Sequence, residues 1–124
     1  MGSNVQEKKK TLLQELIELH ELAFVTIMRG YLQLNFDGPY LNVYTMPEIG
    51  EDGASIKLTD MGYYDRLCRL VGKKVISAKE FPGICLILAF EGDVFLRISL
   101  KPEDRQCAEA VMLQGENGKQ WMVW

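Results

Sequence analysis

The sequence predicts an α+β fold. Two tandem α-β-β-β repeats, each an antiparallel hairpin preceded by a helix, are followed by a C-terminal β-hairpin, all in a single domain. Three observations lead there. A hydrophobic hairpin pattern occurs twice at a nearly constant offset. An apolar stripe of helical spacing precedes each occurrence. The 124 residues, 48% hydrophobic and 25% charged, suit one domain whose core needs no staples. The expected divisions are repeat one at about 5–47, a linker at 48–58, repeat two at about 59–102 and the closing hairpin at 108–124.

Helix one is expected from about Val5 to about His20, with Leu12, Leu13, Leu16, Ile17 and Leu19 as its stripe. Ser3 with Gln6, or Asn4 with Glu7, has the spacing of a capping box. A strand over Ala23–Met28 comes next. The first hairpin then turns at Asp37-Gly38, a pair suited to the left-handed backbone of a tight turn. That turn sets Leu34 opposite Leu41 and Leu32 opposite Val43. Pro39 has no N–H for the ladder and so favours a wider loop. Residues 48–58 are acidic and glycine-rich and read as a mobile connection.

Repeat two follows the same plan. Its helix is expected over about Asp60–Val71, capped by Thr59 or Asp60 and stopped at Gly72. A strand over Lys73–Glu80 leads into the second hairpin. Leu86, Leu88, Phe90, Glu91 and Gly92 match Leu32, Leu34, Phe36, Asp37 and Gly38 at an offset of 54, and the match resumes at 55 beyond the glycine. The extra residue makes a three-residue turn, Glu91-Gly92-Asp93. It pairs Phe90 with Val94, Leu88 with Leu96, Leu86 with Ile98 and Ile84 with Leu100. Without it Arg97 would face Leu86 on the core side, because a one-residue slip inverts both faces of a strand. The closing hairpin joins Ala110–Leu113 to Gln120–Trp124, apolar on both sides.

Composition narrows the function. Net charge is −3, and residues 11–56 hold one base, Arg29, against seven acids. That distribution lacks the basic footprint of a nucleic-acid binder and suits a basic protein partner. No apolar run spans a membrane, and the first ten residues lack the apolar stretch of a secretory signal. The expected location is therefore the cytoplasm. Cys68, Cys85 and Cys107 are odd in number and widely spaced, which predicts free, buried thiols and neither disulfides nor a metal site.

No catalytic set can be assembled. His20 is the only histidine, glycine-rich phosphate loops are absent, and no metal or cofactor motif occurs. The expectation is a non-enzymatic protein with no catalytic residues and no cofactor. The strongest candidate surface is the outward side of the first hairpin: Tyr31, Gln33, Asn35, Tyr40, Asn42 and Tyr44. Tyrosine and asparagine combine contact area with adaptable hydrogen bonding. The acids Glu48, Glu51 and Asp52 complete this candidate partner-binding set. One alternative is a small-ligand protein or carboxylate-based enzyme with its site between the repeats. Another is a structural homodimer joined through Ile87, Phe95, Trp121 and Trp124.

The stretches Leu70-Val71-Gly72-Lys73-Lys74-Val75, Leu88-Ala89-Phe90-Glu91-Gly92, Ile98-Ser99-Leu100-Lys101-Pro102-Glu103-Asp104, Ala108-Glu109-Ala110 and Trp121-Met122-Val123-Trp124 carry a family resemblance. Over about half its length the chain resembles small bacterial single-domain proteins, some of them immunity proteins of polymorphic toxin systems. The resemblance implies a cytosolic, non-enzymatic inhibitor that occupies a toxin's active site or a neighbouring surface. It rests on packing and turn residues, so no functional residue carries over.

Overall fold

The computed structural model describes residues 9–124. Its elements are α1 (Leu12–Ile17), β1 (Phe24–Met28), β2 (Tyr31–Asn35), β3 (Tyr40–Val43), β4 (Glu48–Glu51), β5 (Ala54–Ile56), α2 (Tyr63–Cys68), β6 (Val75–Phe81), β7 (Cys85–Phe90), β8 (Val94–Ser99), a 3-10 turn (Pro102–Asp104), β9 (Val111–Gln114) and β10 (Trp121–Val123). The strands form two antiparallel five-stranded sheets, ordered β1-β2-β3-β9-β10 and β5-β4-β8-β7-β6.

Among the described residues strand outweighs helix by 42% to 13%, which overturns the expected α+β class and its helix-preceded repeats. Both helices have only six residues. The first starts at Thr11, whose hydroxyl accepts the Gln14 N–H while the Gln14 side chain returns a bond to the Thr11 N–H. The proposed caps Ser3 and Asn4 lie outside the described residues. After Glu18 the chain leaves the helix, because its backbone is claimed by β6. Leu19, at a φ of 66°, donates to Val75 O at 2.7 Å, and the Val75 N–H returns to His20 O at 2.9 Å. A long-range ladder thus ends a stripe that reads locally as helix.

The second helix is shorter than expected for a different reason. Asp60 accepts the Lys57 N–H at 2.8 Å, so its carboxylate closes a turn and does not cap α2. Gly62 takes the capping place with a φ of 80°, a left-handed backbone natural to glycine.

Both hairpins have the predicted registers. Leu32 faces Val43 and Leu34 faces Leu41 in β2-β3, while Phe90 faces Val94 and Leu86 faces Ile98 in β7-β8. The first turn stays tight despite Pro39. Asp37 and Gly38 both have positive φ, and the Phe36 N–H donates to Pro39 O at 2.8 Å. Proline serves here as an acceptor, which its missing N–H does not prevent.

The expected linker is also structured. Residues 48–56 form the β4-β5 hairpin around Asp52-Gly53, with β4 paired to β8. The C-terminal hairpin pairs with β3 through β9. Each three-stranded meander is therefore completed by a hairpin from the other half of the chain.

Both sheets share one core. Leu32, Leu34, Leu41, Val43, Val111 and Leu113 from the first meet Ile49, Ala78, Leu86, Leu88, Leu96 and Ile98 from the second, all within one buried cluster. Leu13 and Ile17 of α1 join it, as do Tyr63 and Leu67 of α2. These helices bury one side each and contribute packing, not span. Of the cysteines, all free, only Cys85 is buried; Cys68 and Cys107 are exposed, contrary to the expectation of buried thiols.

Candidate functional site

Directly opposed residues of antiparallel strands share a face, so the sheet register defines the outer side of the first sheet. One row runs Phe24, Asn35, Tyr40, Gln114, Trp121. A second runs Thr26, Gln33, Asn42, Met112, Val123. Met28 and Tyr31 begin a third, where the Tyr31 ring meets that of Tyr44 at 5.3 Å between centroids. All six residues predicted on the first hairpin thus lie together.

Their polar groups are bonded to one another. Gln33 Nε2 donates to Asn42 Oδ1 at 2.9 Å, Asn35 Nδ2 to Gln33 Oε1 at 3.1 Å, and Tyr40 Oη to Gln114 Oε1 at 3.0 Å. Asn42 Nδ2 reaches Tyr44 Oη at 3.5 Å. A half-buried amide without a partner would cost about 1–3 kcal/mol, so mutual bonding fixes these side chains. Around this strip the apolar side chains remain open: Phe24 is 52% exposed, Met28 43% and Trp121 64%. The result is a polar centre between two apolar margins.

Neither margin is legible as part of this face from local sequence. Strand β1 was legible, yet its outward residues were not joined to the face. The contribution of β9 and β10 depends on a β3-β9 pairing across some seventy residues, for which no local pattern exists.

Glu48, Glu51 and Asp52 do not belong to this surface. They sit on the β4-β5 hairpin of the second sheet. Glu51 pairs with Arg66 of α2 at 2.7 Å, and Glu48 Oε1 accepts from the Ser55 hydroxyl at 2.5 Å. The expected dimer seam is likewise divided. Ile87 and Phe95 face outward on the second sheet, with the Phe95 ring lying over Gly50 where a Cβ would overlap it. Trp121 belongs to the first sheet, and Trp124 packs against the core.

A cleft of about 490 Å³ opens where the chain crosses between the sheets, with Glu48, Lys57, Arg97 and Asp104 among its walls. Asp104 Oδ2 accepts the Ser99 hydroxyl at 2.5 Å, so both carboxylates are already held by serines. His20 is exposed beyond α1. Among the described residues no three His, Cys, Asp or Glu side chains converge as a metal set, and no helix is long and apolar enough to cross a membrane.

Comparison with protein-family models, curated proteins and solved structures finds no match to this chain.

Proposed function

We propose that the protein is a non-enzymatic, cytoplasmic protein-binding module of the inhibitor or immunity type, and that it recognises its partner with the outer face of the first sheet. One observation carries the reading: a five-stranded face whose central amides and phenols are already hydrogen-bonded, bordered by exposed Phe24, Met28 and Trp121. Such a face is preorganised. A partner covering it gains apolar contact without ordering flexible side chains, which reduces the entropic cost of association. Tyrosine, tryptophan, phenylalanine and methionine, all present on this face, are the residues enriched at protein interfaces.

The chemistry favours a partner with apolar and hydrogen-bonding groups over a basic one. No Asp, Glu, Lys or Arg lies in the two complete rows of the face. The acidic hairpin belongs to the other sheet and meets a partner on the first only at long range, where salt screens it. The cleft between the sheets supports the small-ligand alternative less well, since it brings together only two carboxylates, Glu48 and Asp104, each with one oxygen bonded to a serine.

The test compares wild type with a variant carrying Tyr31→Ala, Tyr40→Ala and Tyr44→Ala in stoichiometric capture of the partner from the native host. The variant should lose the partner by about a hundredfold or more in affinity, the scale of two or three interface anchors. Its circular dichroism should stay that of the wild type. Undiminished capture by a folded variant would refute this surface.

A further inference from the structure

The two sheets have four edges, and three of them are defended. β5 and β10 have only three residues each. β6 carries a bulge between Val75 and Ser77, charged Lys79 and Glu80, and an Ala78 N–H taken by the Glu18 carboxylate at 3.0 Å. These are the devices by which sheets avoid pairing edge to edge. Among the described residues β1 has none of them. Its five residues, Phe24-Val25-Thr26-Ile27-Met28, contain no charge and no proline, and the one strand it pairs with there is β2, in regular register. Phe24, Ile27 and Met28 are 52%, 49% and 43% exposed.

We propose that β1 is a self-pairing edge: two copies of the chain join antiparallel along it, fusing their first sheets into one ten-stranded sheet. The sequence is self-complementary about Thr26. A two-fold axis there sets Phe24 against Met28 on the outer face and Val25 against Ile27 on the inner one, with Thr26 opposite Thr26. Charge agrees with an antiparallel pairing, which brings the Glu21 end of each strand to the Arg29 end of the other. Glu21 and Arg29 are exposed, and neither forms an ion pair among the described residues. The dimer would carry two copies of the amide-and-aromatic face side by side, an isologous assembly. It does not depend on the binding role proposed above, and the triple tyrosine variant should remain dimeric.

The decisive variants are Thr26→Lys and Thr26→Glu, which place like charges directly opposite one another. Light scattering across a dilution series should give wild type twice the mass of the chain and each variant the mass of one chain. An equimolar mixture of the two variants should return to the dimer. In wild type, amide exchange along β1 should slow as concentration rises, a readout that stands even if a variant misfolds. A wild type that stays monomeric at its highest soluble concentration would overturn the proposal. So would a Thr26→Lys protein that dimerises as wild type does, or β1 exchange that ignores concentration.

Discussion

Tyr63 shows how one side chain couples the helix side of the core to pH. Its ring is buried, and its hydroxyl donates to the Pro47 carbonyl at 2.5 Å. Burial pushes the phenol's proton affinity well up from its ordinary value, and neighbouring Tyr64 adds to the effect. In the unfolded chain the same phenol ionises near pH 10, as tyrosine ordinarily does. The folded state therefore holds a proton that the unfolded state has released. This contribution to stability is fully present below about pH 10 and is lost as pH rises toward the folded value. In Tyr63→Phe the Pro47 carbonyl loses its donor, which should cost about 1–3 kcal/mol at neutral pH. The same change should flatten the alkaline decline. Urea midpoints at about pH 7 and about pH 10.5 check both; a decline as steep as wild type would assign it to another group.

At the scale of elements, packing outweighs local propensity. α1 has a full capping box, yet a six-residue helix is not stable by itself. Removing the cap with Thr11→Ala should cost about 1 kcal/mol, whereas Leu13→Ala, at a fully buried position, should cost about 2–5 kcal/mol. Chemical denaturation of the two variants tests that order. The same contrast explains what could be read from sequence. Hairpin registers were legible because turn chemistry and alternation act over a few residues: Asp37-Gly38 and the extra residue at Glu91-Gly92-Asp93 each leave one register that keeps Leu and Ile inside. Helix lengths were not, because Leu19 and Leu22 continue the stripe while their backbone pairs with residues 73–75. The acidic stretch at 48–56 looked like a loop because Gly50 and Gly53 dilute its strand signal. Gly50 is a strand residue overlaid by the Phe95 ring, and Gly53 completes a tight turn. Half of the candidate face was visible for the same reason: Tyr31, Gln33, Asn35, Tyr40, Asn42 and Tyr44 lie on one local hairpin, while Trp121 and Gln114 arrive by a distant crossover.

For the whole molecule, the exchange of hairpins is the governing feature. The first sheet lacks two strands without residues 111–123, and the second lacks two without residues 48–56. Neither half can bury its meander alone, since each core layer ends in strands from the other. Fragments 9–58 and 59–124 made separately should each lack a cooperative melting transition. Mixed at equal concentration they should regain one, together with the wild-type circular dichroism spectrum. A fragment that folds unaided would mean that one meander and its helix form a sufficient core.

The exchange also sets a schedule for synthesis. As the chain leaves the ribosome, β1, β2 and β3 emerge with the far side of β3 unpaired, and the β4-β5 hairpin follows with no sheet to join until β8 appears. β9 closes the open side of β3 only after some seventy further residues have been made. Strand pairing across such separations is slow and leaves edges open while it waits. Unlike a tandem array that matures piece by piece during translation, this protein completes its second sheet when β8 is released but keeps its first sheet unfinished until the β9-β10 hairpin follows, and the nascent chain is the form most exposed to capture by chaperones.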